Sequence, residues 1–184
     1  MNYAKIIPFD LSNGEGIRVS LFVSGCNFHC LDCFNQECQA FDCGKPYTIE
    51  TRDKILKLVS NPYVAGLSIL GGDPLWQTKD DMNFYLDVLV SKVHELNKTV
   101  WFWSGFTWEE IMGNIWQLDA SFEAKQTMFA RQQLVTDCDV FVDGRYDKNL
   151  KDLTLKWCGS SNQRVIDVQK SIAAKQVILY GEDN

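Results

Sequence analysis

Positive charge is what this chain is short of: 18 lysines and arginines stand against 24 aspartates and glutamates, for a net charge of −6. The basic residues gather in no sustained run, which argues against nucleic acid as the main partner. Long apolar stretches are lacking too. None approaches the length needed to span a bilayer, and the opening residues Met1-Asn2-Tyr3-Ala4-Lys5-Ile6-Ile7-Pro8 have no apolar core of a secretory signal. The expectation is therefore a cytoplasmic protein with no membrane contact. No internal repeat, low-complexity tract or linker interrupts the sequence. At 184 residues, 46% of them hydrophobic, it suits one domain spanning residues 1–184. An even cysteine count is also missing. Seven cysteines cannot all pair with one another, and in a reducing compartment closely spaced cysteines point to metal or redox chemistry.

Three of the seven fall within eight residues, in the stretch Ser24-Gly25-Cys26-Asn27-Phe28-His29-Cys30-Leu31-Asp32-Cys33-Phe34-Asn35. A cubane iron–sulfur cluster normally takes four thiolates, so a CxxxCxxC loop supplying three would leave one iron open. Three readings compete. A structural zinc site would need a fourth ligand, His29 or Cys38. Unconnected core cysteines would be a weaker account of three in eight residues. The third is a [4Fe–4S] cluster held by Cys26, Cys30 and Cys33, whose fourth iron is kept for a chelating small molecule. Cys38, Cys43, Cys138 and Cys158 have no assigned role.

The rest of the pattern alternates short apolar runs with longer amphipathic stretches, as βα units do. Strands are predicted at Ser20–Val23, Leu67–Leu70, Thr99–Trp103 and Val140–Val142. Helices are predicted after Thr48, across Asp80–Leu96, and from Thr107, where Glu109 and Glu110 favour the helix dipole. Asp119–Thr136 reads as an added amphipathic helix burying Phe122, Met128, Phe129 and Leu134. The tail 169–184 carries a last strand-like run, Val177–Tyr180. The implied fold is α/β: a partial, open (β/α) barrel of mainly parallel strands, shorter than a full TIM barrel. Ligands gather at the carboxyl ends of such strands. The four predicted strands run into Ser24-Gly25-Cys26, Gly71-Gly72-Asp73-Pro74, Ser104-Gly105 and Asp143-Gly144-Arg145. Those four loops would share one rim.

The cysteine loop followed by Gly71-Gly72-Asp73-Pro74 resembles the radical S-adenosylmethionine superfamily. Within it, Asp10 to Arg18, Leu21 to Cys26, Cys33-Phe34-Asn35, Gly66-Leu67-Ser68, Trp101 to Phe106, Val142-Asp143-Gly144 and Gly159 to Arg164 are similar to the activating proteins of anaerobic ribonucleoside-triphosphate reductase. The resemblance runs from Asn2 to about Val168. It implies a glycyl-radical activating enzyme with a [4Fe–4S] cluster and S-adenosylmethionine as cofactors. Its partners would be the reductase large subunit and a flavodoxin or ferredoxin as electron donor. The same resemblance gives the residue roles. Cys26, Cys30 and Cys33 hold the cluster. Asp32 and Phe34, on either side of Cys33, present backbone and an aromatic face to the adenine. Gly71, Gly72 and Asp73 hold the methionine amine. Ser104 bonds the ribose or carboxylate, with an ordinary strand-end serine as the alternative, and Asn162 faces the adenine. Two departures stand out: Leu31-Asp32 occupy the position where an aromatic is usual, and Cys158 stands where an arginine is expected. A small radical enzyme acting on a free metabolite, such as a deazapurine synthase, and a non-catalytic zinc module are the other functions compatible with these residues.

Overall fold

The architecture comes from a computed structural model that describes residues 1–115 and 119–181. Strand β1 (Asn2–Asp10) leads into β2 (Arg18–Val23), and the cysteine loop and a short 3-10 turn, Gln36–Cys38, precede β3 (Lys45–Pro46). Helix α1 (Ile49–Val59) then returns to β4 (Gly66–Gly71). Helix α2 starts at Lys79–Asp81, widens into a π segment at Met82–Asp87 and continues through Val88–Glu95 to β5 (Thr99–Trp103). Helices α3 (Trp108–Met112) and α4 (Phe122–Asp137) precede β6 (Val140–Asp143), and β7 (Arg164–Asp167) and α5 (Val168–Ala174) follow it.

All seven strands join one open sheet in the order β3-β1-β2-β4-β5-β6-β7. The three central pairings, β2 with β4, β4 with β5 and β5 with β6, are parallel. These strands read as continuous apolar runs because helices cover one face and loops the other, and every residue of β2 and β6 is buried. The expected parallel α/β core is therefore present. Its margins were not foreseen: β1 pairs antiparallel with β2 and β3, and β7 pairs antiparallel with β6. The sheet is mixed and does not close. Among the described residues no helix is long and apolar enough to cross a membrane.

Local chemistry explains the helix starts. Thr48 caps α1 by accepting from Thr51 N, and Thr107 with Glu110 forms a reciprocal capping box at α3. The added helix lies at Phe122–Asp137, with Ser121 as its cap. Its buried face differs from the expectation. Leu134 is buried and Met128 packs against the core, but Phe122 and Phe129 are exposed, and Ala130 and Val135 fill the contact instead. Nor is Val177–Tyr180 a strand. It makes an isolated bridge from Leu179 to Ile166 and a bond from Tyr180 N to Val165 O, which shield the outer edge of β7. Residues 182–184 of the tail lie outside the described residues.

Arg18, at the start of β2, is 1% exposed and ties the amino ends of three adjacent strands together. Its Nε donates to Ser68 Oγ at 2.7 Å, its Nη2 to Leu67 O at 2.8 Å and Thr99 O at 2.9 Å, and its Nη1 to Thr99 Oγ1 at 3.0 Å. The guanidinium also lies 5.3 Å from the Trp101 ring centroid. Burial lowers its pKa to about 10, so it stays charged at neutral pH. Arg18→Met would fill much of the volume but leave buried carbonyls without donors. It should lower unfolding stability by about 3 kcal/mol, read as a shifted denaturant midpoint at unchanged slope.

Candidate functional site

At the carboxyl ends of β2, β4, β5 and β6 the rim loops enclose a cavity of about 460 Å3. Cys26, Cys30 and Cys33 all line it, half-buried and unpaired with any other cysteine. Their loop leaves β2 through Gly25 (φ +104°), and its base is closed by Gly25 N donating to Cys38 O and Cys26 N to Gln39 O. Two non-glycine residues take left-handed backbone, His29 (φ +50°) directly before Cys30 and Asp32 (φ +58°) directly before Cys33. Such conformations cost energy and are sustained here by an anchor. Phe28 sits edge-on to Trp76 and Phe106, with ring centroids 5.5 and 4.8 Å away.

Three thiols facing one cavity, with Asn35 N 3.4 Å from Cys33 Sγ, are a donor set suited to iron–sulfur ligation. Burial pushes the Cys26 thiol up to about 12, and burial with the neighbouring Cys33 raises Cys30. A metal that binds them must displace their protons. Among the described residues no three His, Cys, Asp or Glu side chains stand close enough to hold one ion. A four-iron cluster spans more than a single ion, and its thiolates stand correspondingly further apart. The two candidates for a fourth zinc ligand do not line the cavity: His29 is exposed, and Cys38 is fully buried with Phe22 and Leu70. Cys43 does not line it either.

Gly71, Gly72, Asp73, Ser104 and Phe34 also line the cavity. Gly71 has φ +111°, and a methyl group on it would strike Val23 O and the Phe22 backbone. One on Gly72 would strike Gly25 O and Cys38 O. The space these glycines leave is thus filled by protein backbone. Asp73, 1% exposed, accepts from Leu75 N and Gly105 N at 2.8 Å each and from Ser104 Oγ at 2.9 Å. Ser104 Oγ in turn accepts from Phe106 N at 3.1 Å. Both side chains are bonded to the rim itself. Phe34 packs against Tyr146 at 5.0 Å. Asp32 and Asn162 do not line the cavity: Asp32 points outward, 3.5 Å from Lys148, and Asn162 donates to Arg145 O at 2.8 Å.

Phe28 had no signal of its own in the sequence, and the contacts that the other rim and wall residues make were not legible there. Asp143, also 1% exposed, accepts from Trp108 N and from Arg164, which continues to Glu109. Arg145 lies over the Phe28 ring at 4.6 Å, and Cys158 lies on the cavity wall. Glycine with a small polar or charged residue after each strand signalled the rim, but not which of those side chains would be consumed by it.

Burial raises the Asp73 pKa from 3.8 to about 6. The unfolded chain therefore gives up this proton before the folded one does. Stability from this group is fully present below 3.8 and is lost as pH rises through 6. Asp73→Asn removes that titration. The stability of the variant relative to the parent should rise between about pH 4 and about pH 7, by ~1.4 kcal/mol per unit of pKa difference. A difference flat with pH in chemical denaturation would show that the buried carboxyl does not titrate there.

Residues 12–166 match the family model described as a 4Fe-4S single cluster domain. The chain is 34% identical over 166 residues to the anaerobic ribonucleoside-triphosphate reductase-activating protein of Enterobacteria phage T4, covering 90% of this chain and 93% of that one. It is 35% identical over 170 residues to the protein of the same name from Salmonella typhi, covering 90% and 97%. With the one from Vibrio cholerae it shares 36% over 165 residues, covering 89% and 96%.

Proposed function

Because the chain belongs to the family of anaerobic ribonucleoside-triphosphate reductase-activating proteins, we propose that it is a radical S-adenosylmethionine activase for such a reductase. The observation that carries this reading is the meeting of Cys26, Cys30 and Cys33 with Gly71, Gly72 and Ser104 around one cavity. When bound, a [4Fe–4S] cluster on the three thiolates supplies the electron that cleaves S-adenosylmethionine, and the resulting 5′-deoxyadenosyl radical takes a hydrogen atom from a glycine of the reductase.

The residues of this chain hold, orient and shield. Cys26, Cys30 and Cys33, as thiolates, would hold the cluster, and a three-cysteine donor set would leave it able to take the amino acid end of the cofactor. Gly71, Gly72 and Asp73 offer backbone to the amine, with the Asp73 carboxylate keeping the loop in place. Ser104 stands beside them at the end of β5. Phe34 and the backbone around Asp32 and Cys33 receive the adenine, with Asn162 acting from the next shell of contacts. Phe22, Leu70 and Trp103 line the cavity and keep water from the reacting atoms. We read the open sheet as a partial barrel in one domain, residues 1–184, with α4 as an insertion and a gap through which the partner's glycine enters. The electron donor in this reading is a flavodoxin or ferredoxin, and the setting is cytoplasmic.

Anaerobically purified protein should carry about four irons with sulfide and no zinc. Cys30→Ala should lose that iron, whereas Cys43→Ala should keep it. Reduced protein given S-adenosylmethionine and the reductase should produce a glycyl EPR doublet on the partner. Cofactor cleavage without that doublet would favour a free metabolite as the substrate, and stoichiometric zinc would favour the binding module.

A further inference from the structure

The loop that carries Cys26, Cys30 and Cys33 meets the fold at its base and through one of its side chains. Asn27, His29, Leu31 and Asp32 are exposed, whereas Phe28 packs inward against the main core. Its ring enters a slot built by the neighbouring strand ends. A methyl group on Gly105 would stand 2.4 Å from that ring, so the residue after Ser104 has to lack a Cβ for the ring to enter. Trp76, beyond β4, and Phe106, beyond β5, close the slot edge-on. Resting on the cluster reading just given, we propose that Phe28 is the positioning residue of the three-cysteine loop, seated in the Gly105 slot and clamped through Trp76 and Phe106 by Arg131 of α4, and that this lock fixes the spacing of the thiolates that take the cluster.

The loop needs such a lock because its backbone does not hold itself. His29 and Asp32, on either side of Cys30, both take left-handed conformations, which persist in residues other than glycine only where the surroundings enforce them. The bonds at the base act on Gly25 and Cys26. Phe28 lies midway between Cys26 and Cys30, so a ring fixed at that position restrains both thiols at once.

The slot is itself braced. Arg131 Nε donates to Leu75 O at 2.7 Å, which brings the guanidinium to 4.5 Å from the Phe106 ring and 5.2 Å from that of Trp76, a cation set against two aromatic faces. The two rings also touch one another, with centroids 5.4 Å apart. Trp76 Nε1 is buried and has no hydrogen-bond partner among the described residues. An unpaired buried N–H costs energy, so Trp76 is kept for its ring. The clamp gives α4 a task that its sequence did not disclose: it carries Arg131 to the back of the slot that seats the cysteine loop.

The test is the rate at which a chelator strips iron from the anaerobically loaded protein in the absence of S-adenosylmethionine, together with the EPR spectrum of the reduced cluster. Phe28→Ala should lose iron about tenfold faster, as expected for two lost edge-on ring contacts, and its spectrum should broaden. Phe28→Leu refills the slot and should recover most of the retention. Gly105 is not in left-handed backbone, and alanine there keeps the amide that donates to Asp73. Gly105→Ala therefore acts by expelling the ring and should copy Phe28→Ala. In the double variant the methyl falls into the vacated slot, so the two effects should not add. Arg131→Met should speed iron loss less than either. Leu134→Ala truncates the buried core elsewhere on α4; it should lower the denaturation midpoint and keep the parent's rate of iron loss. If Gly105→Ala holds iron as the parent does, if the two effects add, or if Leu134→Ala sheds iron as fast as Phe28→Ala, the lock is wrong while the cluster reading stands. A parent that takes up no four-iron cluster overturns both.

Discussion

One buried carboxylate holds the rim together. Asp73 follows β4 between the loops after β2 and β5, and its oxygens accept hydrogen bonds from Leu75 N, Gly105 N and Ser104 Oγ. Its own amide donates to Gly25 O, and Gln77 Nε2 bonds both Ser24 O and Asp73 O. Three strand ends are thereby fixed in one frame. Sinking a carboxylate this deep is costly unless its lone pairs are filled, and the raised pKa records the cost that remains. The glycines beside it follow from the same frame. Backbones this close leave no room for a Cβ at Gly71 or Gly72, so the Gly-Gly-Asp sequence is required by the joint itself, whatever ligand lies beyond it.

Asp143 repeats the device two strands over. It accepts from the first amide of α3 and from Arg164 on β7, and with Glu109 it raises the arginine pKa further. The result is that the acidic residues closing β4 and β6 brace neighbouring loops, and the cavity they surround keeps thiols, an apolar lining and two cations. Trp103 fits the same division. Its ring lines the cavity while its Nε1 donates to Trp157 O at 2.9 Å, tying down the loop that carries Cys158.

The central strands were legible because burial on both faces makes them largely apolar, and their exits carried glycine with a polar partner. The margins were not. β1 is a nine-residue strand whose partly exposed, bulged course breaks the two-residue alternation, with Pro8 inside it. β3 is two residues long, and β7 begins with a buttressing arginine. Each is defined by its distant partner more than by its own pattern. Helix α4 misled for a related reason. Phenylalanine at Phe122 and Phe129 outweighed alanine and valine in the sequence, yet Ala130 and Val135 are what fit against α2 and the sheet. In the site, spacing marked the three cysteines, and the strand order brought the glycine loop beside them. What spacing could not distinguish was a carboxylate consumed by the fold from one offered to a ligand, because that depends on which amides face it in three dimensions.

Cys158 shows how a single substitution redistributes the remaining charge. Where the family resemblance leads one to expect a guanidinium, this chain has a thiol, held neutral because burial and the nearby Asp143 push its pKa up to about 11. It packs with Val140, Val142 and Trp101 on the apolar side of the cavity. The wall it forms is therefore uncharged, and among the described residues the guanidinium that lines the cavity is that of Arg145. A ligand carrying ammonium, sulfonium and carboxylate together would meet its fixed cations on the sides of Arg145 and Lys5 and an apolar surface elsewhere. Such a distribution of charge favours an anionic group near the cations and apolar carbons along the lining.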